Sequence, residues 1–328
     1  MIKTPGYNRE KEEEKVQEFF QTTQGIFTIL IILGIGYCLS RFGWIKKAES
    51  EFLTRFVVYI TLPPYMVVNI TTNFTRDSLL SLVKAIPVPF LSMFLSYLLA
   101  TVLGRYLKIP TSRRGVFLVA FSFSNTIFVG LPVCQILFGE SVTPFILLYY
   151  MVNTTFFWTL GALSIASSGN IYDDERFSLG KTIKRLCNPP FVAFFIGLVL
   201  VLFECPLPQI IFTTGMKIGN ITTPLSLLCV GTTVDFKKIR LTKDLILVLL
   251  GRFIISPLFV LLVAELFPPP ALVKEVFVVM SAMPVMMQAS ILARFYRADY
   301  EYATSMIAAS TALSALIIPL LKMGIQRL

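Results

Sequence analysis

Histidine is absent from the 328 residues, which removes imidazole catalysis, histidine metal ligation and histidine proton relays. Acidic side chains are missing where the chain is most apolar. No Asp or Glu falls near the middle of a long hydrophobic run, and Asp235 and Glu265 sit only at run ends. A carrier that moves protons across a membrane usually needs an intramembrane carboxylate, and none stands out. The five cysteines (Cys38, Cys134, Cys187, Cys205 and Cys229) are odd in number and lack metal-ligand spacing, so they read as small hydrophobes. No paired aspartates and no nucleophile beside a general base are found, which argues against an enzyme. Residues 1–18 are polar, with Glu10, Glu12, Glu13, Glu14 and Glu18 among Lys11 and Lys15. They lack the short apolar region and small-residue cleavage site of an ordinary signal peptide, and read as a solvated extension of the first apolar run.

What the chain does have is hydrophobicity in blocks. It is 55% hydrophobic with a mean hydropathy of +0.74. The apolar runs are about 20 residues long, enough to cross about 30 Å of hydrocarbon as helices. Ten are predicted, at 19–40, 52–72, 80–104, 115–138, 143–167, 188–204, 209–233, 245–267, 271–293 and 303–325. The expectation is an all-α polytopic membrane protein with ten transmembrane helices and no soluble domain. The net charge of +10 suggests a nucleic-acid partner until the charges are placed. Most loop Lys and Arg fall in the odd-numbered loops, while the even loops offer only Arg76, Lys84, Lys217 and Lys274. The positive-inside rule then puts the odd loops in the cytoplasm and both termini outside. The basic balance reports orientation in a lipid bilayer and excludes no membrane function; it does not point to nucleic acid.

The basic linker 168–186 divides the chain into halves at 19–167 and 187–328. Span two carries Leu62-Pro63-Pro64 and span seven Thr223-Pro224-Leu225; span four carries Pro132 and span nine Pro284. Each half thus has a proline in its second and fourth span. Five spans is an odd number, so the second half enters the membrane in the opposite direction, an inverted 5+5 repeat. A proline removes a backbone donor and crowds the preceding turn. Freed main-chain groups are tolerated at membrane depth only where they are buried in protein or line a cavity. Interrupted segments at matching places in two halves point to a transporter binding site. Spans four and nine are expected to cross as antiparallel broken helices, with a half-helix starting after each proline. Two helix N-termini meeting there attract an anion, and a carboxylate is the natural guest.

The groups able to read such a ligand are amides and hydroxyls. Asn125 precedes the first break with Ser122, Ser124 and Thr126 beside it; Gln288 follows the second. Either amide serves a ligand or merely satisfies the broken backbone. Asn153 in span five contributes to the same cavity or makes an interhelical hydrogen bond. Gly130 lets the backbone approach closely, and Pro63 bends span two beside the cavity. Ser305, Ser310, Thr311 and Ser314 in span ten read as small-residue helix packing. Arg252 lies inside span eight, where snorkelling to the headgroups explains it and a role in attracting anions competes.

These residues carry a resemblance. Gly36-Tyr37 with Arg41-Phe42-Gly43, then Val57 through Pro63, is similar to the opening of the auxin efflux carrier family. The stretch Asn125-Thr126 with Gly130 and Pro132 resembles the family's fourth-span motif, shared with plant PIN carriers. Thr223-Pro224-Leu225-Ser226-Leu227 with Gly231 resembles the seventh span. Ala282-Met283-Pro284, Ile291-Leu292-Ala293, Tyr296 and Asp299 resemble the ninth span and its exit. The resemblance covers about residues 25–325. It implies a scaffold of spans one, two, six and seven, often a homodimer, and a mobile domain of spans three to five and eight to ten moving as an elevator. It also implies a small organic carboxylate as substrate at the crossing of spans four and nine. The chain departs from the pattern at Gln288, where many members carry Asn. Its short 168–186 loop resembles the prokaryotic type, in a plasma membrane, and points away from auxin as the substrate.

The function expected is therefore a secondary transporter of a small organic carboxylate. The alternative is a sodium- or proton-coupled symporter or antiporter of a related ten-span inverted-repeat fold. No cofactor is expected, though a sodium ion held by carbonyls and amides near Asn125 and Gln288 stays open.

Overall fold

The computed structural model describes residue 24 and residues 27–77, 84–169, 189–233 and 239–325. The extension 1–18, residues 170–186 of the linker, Cys187 and Asp235 lie outside them. The described elements are helical: α1 (Phe27–Arg41), α2 (Ala48–Asn73), α3 (Pro87–Tyr106), α4 (Thr111–Ser122), α5 (Thr126–Phe138) and α6 (Glu140–Ser168). After the linker come α7 (Pro189–Leu202), α8 (Gln209–Gly219), α9 (Thr222–Thr233) and α10 (Lys243–Leu266). The last three are α11 (Ala271–Ser281), α12 (Gln288–Phe295) and α13 (Tyr300–Ile325).

Five stretches are long and apolar enough to cross a bilayer: α2, α3, α6, α10 and residues Tyr300–Ile318 of α13. Helix α1, helix α5 and Val192–Leu202 are shorter apolar helices. Large apolar side chains stand exposed in stripes at helical spacing: Phe27, Ile31 and Ile35 on α1, Phe90, Phe94 and Leu98 on α3, and Ile254, Leu258 and Leu262 on α10. In water such patches would drive aggregation; against lipid they are the favourable outer surface of an integral membrane protein. The predicted runs at 115–138, 209–233 and 271–293 are each split, with gaps at 123–125, 220–221 and 282–287. The run predicted from residue 80 becomes helical only at Pro87, whose fixed φ and missing donor suit a first helical turn.

The prolines act differently from the sequence expectation. Wide π-helical turns occupy Val57–Thr61 in α2, Thr126–Gly130 in α5 and Gly251–Ile255 in α10. A proline follows two residues after each, at Pro63, Pro132 and Pro257. The carbonyl four residues back, which the proline ring would strike, lies within the wide turn in every case. A π turn relieves that clash by displacing the carbonyl. The break expected at Pro132 therefore falls earlier, at Phe123–Asn125, and Pro132 sits inside α5. Pro284 does lie in a gap, between α11 and α12, and Pro224 occupies the first turn of α9. A further π turn among the described residues, Phe157–Gly161 in α6, has no proline after it, and nothing in its surroundings explains it.

Helix α2 packs along α7 and α8 and also meets α9; α3 lies against α4 and α10, and α4 against α6. Helices α10, α11 and α6 pack in turn, and α12 lies on α13. The two sets touch where α9 rests on the Thr126–Gly130 turn and where α2 meets α6. A polar network bridges them there. The Tyr65 hydroxyl and the Gln135 amide both donate to Glu140 Oε2 at 3.0 Å, and Gln135 also donates to Thr143 Oγ1 at 2.9 Å. Gln135 bonds Tyr65 as well, and the Thr223 hydroxyl donates to Gln135 Oε1 at 2.8 Å. Thr222 donates to Thr61 at 2.9 Å, joining α9 to the π turn of α2.

Helices α1 and α9 meet backbone to backbone. A Cβ on Gly36 would stand 2.3 Å from the Leu228 carbonyl oxygen, and one on Gly231 2.2 Å from that of Leu33. No flexible side chain can yield at either point. Gly231→Ala is expected to cost about 1–3 kcal/mol or more, the range of overpacking in a tight interior. Thermal unfolding of the purified variant in detergent, compared with an alanine change at exposed Gly34, checks this.

Candidate functional site

The two gaps meet. Helix α4 ends at Ser122 and Phe123 turns extended, at φ −112° and ψ 136°. Ser124 pairs with Val285 in an antiparallel bridge, and the Asn125 N–H donates to the Pro284 carbonyl at 2.8 Å. No proline stops α4. The chain after it is held extended by the Ser124–Val285 bridge and the bonds of Asn153 to both main-chain groups of Ser124. At the second gap Pro284 cannot donate and biases Met283 away from helix. Val285 N–H is taken by the Ser310 hydroxyl at 3.0 Å.

Two ends of each polarity converge here. Helices α4 and α11 arrive with their C-termini, where unpaired carbonyls concentrate negative charge; α5 and α12 leave with their N-termini, where unpaired N–H groups concentrate positive charge. Arg252 serves the first pair. It is fully buried, and its Nε donates to the Met283 carbonyl at 3.1 Å and its Nη1 to that of Phe121 at 3.3 Å. Nη2 donates to the Ser281 carbonyl and to Ser124 Oγ. The sequence reading that sent Arg252 to the headgroups is thereby corrected. The residue lies nine positions into α10 from Lys243, about 13 Å along the helix, beyond comfortable snorkelling reach. That depth was the signal available in the sequence. A second buried cation, Lys322, does the same at the far end of α5, donating to the Leu137 carbonyl at 2.8 Å. Sequence reasoning passed over it.

The N-terminal pair is served only in part. Asn125 Oδ1 accepts from the Phe128 N–H at 3.3 Å and so caps α5, while its Nδ2 is buried without a partner. The backbone-satisfying reading of this amide thus holds for its oxygen, while its nitrogen has no partner within the protein. Thr126 Oγ1 and Ser122 Oγ, buried beside it, also lack partners. Helix α12 starts with no side-chain cap, and Oε1 of its first residue, Gln288, is unpartnered. Native interiors leave few polar atoms unsatisfied, and here four gather around one crossing. Ser226, fully buried on α9, adds another unpartnered hydroxyl on the helix that rests against the Thr126–Gly130 turn. It had been noticed only within a motif.

Asn153 does a different job. Its Oδ1 accepts from Ser124 N–H and its Nδ2 donates to Ser124 O, both at 3.0 Å. Of the two readings left open for Asn153, the interhelical bond is the one made; it holds the first gap extended. Gly130 lies where a Cβ would come within 2.8 Å of Met280 Sδ, so its π turn sits close on α11. Pro63 and Pro224 flank the Thr61–Thr222 bond rather than the crossing itself. At one end of this set of helices Asp299 accepts from Arg113 Nε at 2.7 Å and from the Tyr302 N–H at 2.9 Å. The Asp299 hydrogen bond raises the Arg113 pKa above its usual value.

An all-helical membrane chain with two interrupted helices meeting in its interior has the build of a membrane transporter. The chain belongs to the family described as "Membrane transport protein", which matches residues 22–322; this is the auxin efflux carrier family that its motifs resemble. It is 27% identical over 304 residues to an uncharacterized transporter of Methanocaldococcus jannaschii, covering 90% of this chain and 96% of that protein. An uncharacterized transporter of Methanothermobacter thermautotrophicus is 26% identical over 306 residues, covering 92% and 98%.

Replacing Asn153 by leucine keeps the volume but leaves the buried Ser124 N–H unpaired, at a cost of about 1–3 kcal/mol. Asn153→Leu should melt lower than Asn153→Gln, and a differential melt in detergent reads the difference.

Proposed function

We propose that this protein is a secondary transporter that carries a small organic carboxylate, bound where α4–α5 crosses α11–α12. The observation that carries the reading is the unpartnered Nδ2 of Asn125, at the N-terminus of α5 and beside the second gap through its N–H bond to Pro284. Donors and positive helix ends favour a carboxylate there. Gln288 Oε1, an acceptor, suits a hydroxyl or N–H on the same acid. Thr126 and Ser122 add hydroxyls able to donate or accept. Asn153 acts on the ligand only through Ser124.

In this reading the chain crosses the membrane ten times as two inverted sets of five, with odd loops in the cytoplasm and both termini outside. Its location is a prokaryotic plasma membrane. Helices α3–α6 and α10–α13 form the moving body, and α1, α2 and α7–α9 form a scaffold that pairs with a second copy in a homodimer. The packing is compatible with this division: the two sets meet at α9 on α5, at α2 on α6, and where Ile29 and Leu33 of α1 line a cavity with Val133 of α5 and Ile318 of α13. An elevator motion of one set against the other would have to break the Tyr65–Gln135–Glu140–Thr223 network.

The test is thermal stability of the purified protein against a panel of mono- and dicarboxylates, followed by uptake into liposomes. A ligand that binds only the folded state adds about 2.7 kcal/mol at a hundred times its Kd. One acid should raise the Tm of the wild type and be taken up. Asn125→Asp keeps an oxygen to cap Phe128 but sets a negative charge beside the ligand. It should melt near the wild type without ligand and lose the shift. A shift undiminished in Asn125→Asp would move the site elsewhere, and uptake of a non-acid alone would overturn the substrate class.

A further inference from the structure

Arg252 is built into the crossing in the manner of a bound ion. Its four partners are oxygens: the carbonyls of Phe121, Ser281 and Met283, and Oγ of Ser124. They come from the end of α4, the first gap, the end of α11 and the second gap, and converge on one fully buried positive group. Each helix C-terminus carries roughly half a negative charge. Two such ends amount to about minus one, which a single guanidinium balances. No acidic side chain is needed, and no Asp or Glu contributes to this set of partners. In transporters built from broken helices, unwound carbonyls and half-helix C-termini are the groups that hold a coupling cation.

We propose that Arg252 is a tethered cation that permanently occupies a cation site made by these carbonyls, so that the carrier works with no free sodium ion at its crossing. The guanidinium stays charged at all working pH values and offers a fixed fork of donors. Three of the four acceptors are main-chain atoms, so side-chain changes around the site leave the cation's place intact. This assignment does not depend on which substrate the neighbouring N-termini take. Arg252 is here a positioning residue, holding the two C-terminal ends together so that the N-terminal ends face each other.

The experiment compares melting of the wild type, Arg252→Ala and Arg252→Lys in sodium chloride and in choline chloride of equal ionic strength, without substrate. Each is repeated with millimolar guanidinium, far below denaturing levels. The wild type should melt alike in both salts. Arg252→Ala should melt several degrees lower and recover in guanidinium but not in choline. Arg252→Lys, which keeps the charge, should respond to none of them. A sodium-stabilised wild type would overturn the proposal, as would an alanine variant that no small cation rescues or that every salt rescues equally. Should Arg252→Ala fail to fold, sodium dependence of the wild type or of Arg252→Lys still refutes it. These readouts need no substrate, so they fail or hold separately from the carboxylate reading.

Discussion

A membrane interior offers main-chain groups no water to bond with, and everything at the centre of this protein follows from that constraint. Two helices stop there, and each stop exposes carbonyls on one side and N–H groups on the other. Arg252 takes the carbonyls of Phe121, Ser281 and Met283. Asn153 takes both main-chain groups of Ser124, Ser310 takes the Val285 N–H, and the gaps bond each other through Asn125 and Pro284. On the N–H side, Asn125 caps Phe128 on α5, and the Thr126, Ala289 and Ser290 amides donate to the Ser124, Met286 and Met287 carbonyls. The buried cation thus sits with the C-terminal ends, and the unpartnered Asn125 Nδ2 sits at an N-terminal one.

How much of this was legible in the sequence depends on what each residue does. Hydropathy showed where helices run, and the amides beside the gaps, Asn125 and Gln288, were readable because polar groups are costly in an apolar run. Proline was readable as an anomaly but not as a location. Pro132 looks like a break and is a residue inside α5, since the π turn before it removes the clash that would have broken the helix. The true stop of α4 rests on Asn153, twenty-eight positions on from Asn125, and no local pattern reveals a partner at that distance. Arg252 was visible and its partners were not. A charge in an apolar helix reads as a surface residue until the carbonyls of two other helices are brought to it by the fold.

Close contacts give the same lesson for the scaffold. Gly36 and Gly231 each stand in a motif, but only their apposition across α1 and α9 explains them, since each Cβ would strike the other helix's carbonyl. The polar network from Tyr65 to Thr223 likewise draws on residues from four helices. Individually they look like ordinary hydroxyls and amides near helix ends.

Segments without regular structure are usually where a protein frays first, and amide protons there exchange with solvent soonest. The gap at Phe123–Asn125 is the opposite. All three residues are buried to within 2% of full coverage, and the Phe123, Ser124 and Asn125 amides are bonded to Val119, Asn153 and Pro284. The stretch that a secondary-structure trace draws as a hinge is, in this molecule, a rivet. The unwound strand at the centre is held as firmly as the packed helices around it, so any flexing of this region falls to the seams between helices.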